Sequence, residues 1–68
     1  MPVLKTKLKL CRLERGMNQD ELADLVNVRR ETIVRLEKGL YNPSLKLAMD
    51  IARIFNTTVE DMFSFDDD

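Results

Sequence analysis

Between positions 29 and 38 the chain carries Arg29, Arg30, Glu31, Arg35 and Lys38, side chains suited to the edges of nucleobases and to phosphates. A guanidinium matches the O6/N7 edge of guanine with two hydrogen bonds, glutamate accepts from the cytosine amino group, and an apolar side chain such as Val34 can meet a thymine methyl. The inventory for catalysis is missing. There is no histidine, a single cysteine (Cys11), no nucleophile beside a base and no phosphate loop, so the geometric requirements of an enzyme site are not met. No metal or other cofactor is expected either, because there is neither histidine nor a cysteine pair at ligand spacing.

Side chains that read bases need a rigid element to carry them. Two glycines and two prolines punctuate the chain, and nothing alternates with strand periodicity over a useful length, so the reading is all-α with five helices. The first runs from about Lys5 or Thr6 to Arg15 and stops at Gly16, which can turn left-handed. Asn18 caps the second, Glu21 bonds back to it, and Met17 staples against Leu22. That helix ends near Val26, where Asn27 tolerates positive φ. A third covers about Arg30 to Lys38 and stops at Gly39. After the loop Leu40-Tyr41-Asn42-Pro43, Ser44 caps a fourth helix running to about Phe55. Thr57-Thr58-Val59-Glu60 has capping-box spacing and opens a short last helix through Met62 or Phe63. Phe63-Ser64-Phe65 then alternates before Asp66-Asp67-Asp68, an end expected to fray. Residues 1–68 form one domain.

The stretch 19–38 has the pattern of a helix-turn-helix. Leu22, Ala23 and Val26 form the buried stripe of its first helix, and Ile33 and Leu36 that of its second. Ala23 is small where the helices cross, Asn27 turns the chain, and Val28 seals the corner at staple spacing from Ile33. In this arrangement the second helix enters the major groove while the first lies across the backbone. At 100° per residue, Glu31, Val34, Arg35 and Lys38 face away from the buried stripe. Arg29 and Arg30 project from the leading end.

With its flanking segments the chain resembles the phage-repressor/Cro type of helix-turn-helix regulator, the XRE family. The likeness runs from about Leu8 to Phe63 and includes Arg12, Gln19, Glu37-Lys38-Gly39 and Tyr41-Asn42-Pro43-Ser44. The run Asn56 to Phe63 is similar to that of small free-standing members such as the cytolysin repressors. The resemblance implies base contacts at Arg30, Glu31 and Arg35, and phosphate contacts at Gln19 and around Tyr41 and Asn42. The whole DNA-facing set is then Gln19, Arg29, Arg30, Glu31, Thr32, Val34, Arg35, Lys38, Tyr41 and Asn42. It also implies an ion pair between Arg12 and Glu37, whose carboxylate lies at the edge of the buried stripe, and a short sheet joining the termini, Val3 against Phe65. Three departures stand out: Arg29 occupies the usual cap position of the third helix, Asn27 replaces a turn glycine, and Val34 sits at a groove-facing place that is commonly polar. A bound phosphate would answer both the missing cap and the positive charge at Arg29.

Several residues have plainer readings. Glu31 and Arg35 are spaced to pair on an exposed helix, Tyr41 is either a contact or a loop anchor on Pro43, and Lys5, Lys7 and Lys9 read as a solvated face in preference to a second contact site. Cys11 reads as a small core residue. The charge of −1 hides an asymmetry. Residues 1–39 hold nine Lys/Arg and six Asp/Glu, leaving +3, whereas 40–68 hold two and six, leaving −4. Nucleic acid responds to the local basic face.

The fourth helix has too many apolar residues for one buried side, an arc of roughly 220°. Self-association through about residues 47–65 is therefore expected, with Leu47, Ile54, Phe63 and Phe65 at the interface of a homodimer. These observations point to a cytoplasmic, homodimeric regulator, a repressor on an inverted-repeat duplex operator, with no membrane span and scope for a regulatory protein partner. The competing reading keeps the fold without DNA, as an antitoxin or antirepressor interaction module. Val34 on the outer face, the acidic second half and the missing cap of the third helix fit that alternative.

Overall fold

Backbone stops of one kind divide this chain into its elements. The computed structural model describes residues 3–66, in the order β1 (Val3–Thr6), α1 (Leu8–Glu14), α2 (Gln19–Leu25), α3 (Arg30–Glu37), α4 (Leu45–Ile54), α5 (Val59–Met62) and β2 (Phe63–Asp66). Each of α1 to α4 is followed by one residue at positive φ: Gly16 (64°), Asn27 (63°), Gly39 (74°) and Asn56 (54°). The next amide reaches back over the helix end, from Met17 to the Arg12 carbonyl (3.1 Å), Val28 to Ala23 (3.0 Å), Leu40 to Arg35 (2.9 Å) and Thr57 to Ala52 (2.9 Å). This is the six-to-one bond of the Schellman motif, which satisfies carbonyls that a helix end leaves unpaired. Asn56 completes the set and was not expected from the sequence.

At the opposite ends, side chains supply the caps. Asn18 Oδ1 accepts from the Glu21 amide (2.7 Å) while Glu21 Oε1 accepts from the Asn18 amide (2.9 Å), and Ser44 Oγ accepts from the Leu47 amide (3.1 Å). Two expectations are corrected. The last helix is capped by Thr58, which accepts from the Asp61 amide at 3.1 Å, one residue later than the Thr57–Glu60 spacing implied. The first helix starts at Leu8, because residues 3–6 extend as β1 and Thr6 Oγ1 accepts from the Leu8 amide at 3.1 Å. The helical reading is thereby qualified by a small antiparallel sheet.

In that sheet Leu4 pairs with Phe65 and Thr6 with Phe63, while Val3 pairs with Asp66. The expected Val3–Phe65 pairing is off by one residue. A one-residue slip would put Leu4 and Phe63, both buried, on opposite faces of the sheet, so the core selects the register. Asp66, expected in a frayed end, is the last residue of β2; Asp67 and Asp68 lie outside the described residues.

The core joins Leu4 and Phe63 of the sheet to Leu8, Leu22, Ala23, Val26, Ile33, Leu36, Leu47, Ala48, Ile51, Phe55 and Met62. Ile33 and Leu36 anchor the inner side of α3, and Val28 packs against the same core from the turn. Fixing α3 from beneath leaves its outer residues in register for a surface role.

Candidate nucleic-acid interface

The α2–turn–α3 unit rests on a polar knot. Arg12 of α1 is 7% exposed, and its Nε and Nη2 donate to Glu37 Oε2 (2.7 Å) and Oε1 (3.2 Å). Its third arm, Nη1, donates to the Met17 carbonyl at 2.9 Å, and Gln19 Nε2 donates to Glu37 Oε1 at 3.1 Å. The side chain of Glu37 is only 4% exposed, so its charge is tolerable because all its close neighbours are donors. The Arg12–Glu37 pair thus has the form expected from the sequence. Gln19 was expected at phosphate; here it also ties the start of α2 to the end of α3.

Above this knot lies an open cleft of about 360 Å³. It is lined by Lys9, Asn18 and Gln19 on one side and by Arg30, Val34 and Lys38 on the other, with Arg12 and Glu37 beneath. Arg30, Val34 and Lys38 recur every fourth residue, so they form a single stripe of α3. Glu31 and Arg35 form the adjoining exposed stripe. Although spaced to pair, these two make no ion pair with each other, unlike Arg12–Glu37 and Lys46–Asp50. Thr32 and Val34 are half-buried.

Arg29 stands in extended conformation at the cap position of α3, and its side chain makes no capping hydrogen bond. The leading turn of α3 therefore presents uncapped amides beside Arg29 and Arg30, a donor-rich end suited to an anion. Tyr41 and Asn42 are exposed in the following loop. Asn42 also borders an apolar groove with Leu4, Pro43, Leu45, Ala48 and Phe65.

Gly39 ends α3 under two constraints. Its φ is 74°, and a Cβ there would stand 2.7 Å from the Leu4 carbonyl oxygen. The end of α3 is thereby pressed against β1, a close approach that only glycine permits.

The apolar surface differs from the expected one. Leu47 and Phe63 are spent inside the chain's own core, and Ile54 packs against it, so of the four residues expected at a dimer interface only Phe65 is well exposed (55%). Leu45 (72% exposed) and Met49, one turn apart on α4, are the large apolar residues turned outward. Both belong to the apolar arc of α4; which part of that arc the core would cover was not legible from α4 alone. Lys9, read from the sequence with Lys5 and Lys7 as a solvated face, lines the cleft. Its signal was the spacing of three from Arg12, which puts both on one side of α1. Among the described residues no helix is long and apolar enough to cross a membrane.

A helix-turn-helix family model matches residues 8–62. An uncharacterized HTH-type transcriptional regulator of Archaeoglobus fulgidus is 58% identical over 65 residues, covering 96% of this chain and 93% of its own. A second, from Methanocaldococcus jannaschii, is 46% identical over 65 residues, covering 96% and 98%. Among solved structures, the transcriptional regulator VanUg superposes with a TM-score of 0.76 at 26% identity, covering 94% of this chain and 85% of its own.

Proposed function

Because the chain belongs to the XRE-type helix-turn-helix family of transcriptional regulators, we propose that it binds duplex DNA sequence-specifically as a homodimer and acts as a repressor in the cytoplasm. The observation that carries this reading is α3 itself. Its inner residues Ile33 and Leu36 are locked in the core, and its outer stripes offer Arg30, Glu31, Arg35 and Lys38. Arg30 and Arg35 select guanine, and Glu31, without an ion-pair partner on its own helix, accepts from cytosine. Gln19, Arg29, Tyr41 and Asn42 hold phosphates and set the register, with Thr32 and Val34 at the flanks of the contact.

Dimerisation uses the apolar surface of Leu45, Met49 and Phe65 around the groove bordered by Leu4, Pro43, Val59 and Phe63. A two-fold dimer places one α3 in each of two successive major grooves, roughly 34–36 Å apart, so the operator is an inverted repeat. Repression then follows when the occupied operator overlaps a promoter.

The rival reading, an interaction module that does not touch DNA, leaned on Val34 as an outward apolar residue. Val34 is half-buried in the wall of a cationic cleft, which favours DNA. Titrating the protein into duplex DNA at a series of salt concentrations tests the reading. A log–log slope of several units supports counterion release from phosphates; a flat response at every salt concentration defeats it.

A further inference from the structure

Lys9 has a different position from the two lysines it accompanies in sequence. Lys5 lies in β1 opposite Ser64 and Lys7 precedes α1, but Lys9 lines the cleft opposite Arg30 and Lys38. None of these three cations is in an ion pair; the pairs among the described residues involve other groups. The carboxylate beneath them, Glu37, has both oxygens engaged by Arg12 and Gln19. Asn18 commits its oxygen to the Glu21 amide, which leaves its NH2 uncommitted, and Gln19 keeps one N–H beyond its bond to Glu37. The cleft therefore presents donors and positive charge contributed by three helices, and its one carboxylate, Glu37, has both oxygens already engaged. Such a surface takes a singly charged tetrahedral oxyanion held from several sides.

Resting on the duplex-binding reading above, we propose that this cleft seats one backbone phosphodiester of the operator and that Lys9 is its ligand from α1. The stripe of Arg30, Val34 and Lys38 makes the cleft continuous with the outer side of α3, so a strand passing that helix crosses it. Lys9 would then contribute affinity and orientation without sequence information, and would tie α1 to DNA beside the α2–α3 unit.

The test compares the wild-type chain with Lys9→Gln and with Lys5→Gln, which makes the same charge change outside the cleft. Each is titrated with a duplex enriched by the wild-type protein from a random pool and with an unrelated duplex across a salt series, after thermal unfolding confirms an unchanged fold. Loss of one phosphate contact in each protomer, two per dimer, lowers the salt slope by about 1.8, which near 0.1 M salt is roughly a sixtyfold loss of affinity. Lys9→Gln should show this on both duplexes with base preference unchanged, and Lys5→Gln should match wild type. A wild-type slope in Lys9→Gln, or equal losses in both variants, overturns the assignment while leaving duplex binding intact. If the wild-type chain itself shows no salt-sensitive duplex binding, the assignment and the functional reading fall together. A further arm adds tens of millimolar inorganic phosphate in place of chloride at equal ionic strength. Thermal stabilisation of wild type but not of Lys9→Gln, together with equal duplex salt slopes for the two, would identify a free-phosphate site and overturn the assignment to backbone phosphate.

Discussion

Replacing Glu37 with glutamine nearly preserves the shape of the side chain and removes its charge. In the folded chain this strands the buried Arg12 guanidinium beside a neutral amide. Glu37 accepts three hydrogen bonds, two from Arg12 and one from Gln19. A glutamine offers one oxygen, so its NH2 must face either Arg12 Nε or the pair Arg12 Nη2 and Gln19 Nε2, donor against donor. Breaking one side of a buried ion pair costs about 3–5 kcal/mol. The lower end applies here, because the Met17 carbonyl still accepts from Arg12 Nη1 at 2.9 Å. A chain of this size has a total stability of roughly 3–10 kcal/mol, so the loss is a large fraction of the whole. At ~4–8 °C per kcal/mol, a loss of about 3 kcal/mol lowers the melting temperature by ~12–24 °C. Circular dichroism melts of Glu37→Gln, and of a double variant carrying Arg12→Met with Glu37→Leu, separate the causes. The double variant should recover much of the loss, since replacing both charges leaves none stranded. If Glu37→Gln melts within about 3 °C of wild type, a shift worth under ~1 kcal/mol, the knot does not hold α1 to α3 and the reasoning fails.

The two glycines should respond unequally to alanine. Gly16→Ala meets open space and costs the left-handed strain of roughly 1–2 kcal/mol, whereas Gly39→Ala also drives a Cβ into the Leu4 carbonyl and should cost a further ~1–3 kcal/mol; equal denaturant midpoints for the two would contradict the close approach of β1. Asn18→Ala removes one half of the capping box and should cost about 1 kcal/mol in the same unfolding assay, and an unchanged midpoint would count against the cap. Phe65→Glu puts a charge on the exposed apolar surface, so sedimentation at tens of micromolar should find wild type dimeric and the variant monomeric; identical masses would remove Phe65 from the interface.

Much of the fold was legible because its signals are local. Asn18, Ser44, Gly16, Asn27 and Gly39 act on their own neighbouring backbone, and a capping side chain or a positive φ needs no knowledge of the rest of the chain. The misses arise where one segment answers to another. Residues 5 and 6 look helical in isolation but are drawn into β1 by a partner strand some sixty positions away, and Leu4 must then enter the core with Phe63. Leu47 and Leu45 are equally apolar in sequence, and only the packing of α4 sends one inward and the other out. For the site, the charges on α3 could be read by periodicity. The cleft could not, because Lys9 joins it only once α1 is placed beside α3 through Arg12 and Glu37.

The most direct test of sequence-specific binding by a two-fold dimer is selection of duplexes from a random pool by the purified protein. The enriched sites should form an inverted repeat with half-site centres about 10 bp apart, carrying guanines at positions that lose preference in Arg30→Ala and Arg35→Ala. A folded protein that enriches no sequence, or enriches a single site without two-fold symmetry, would contradict the account.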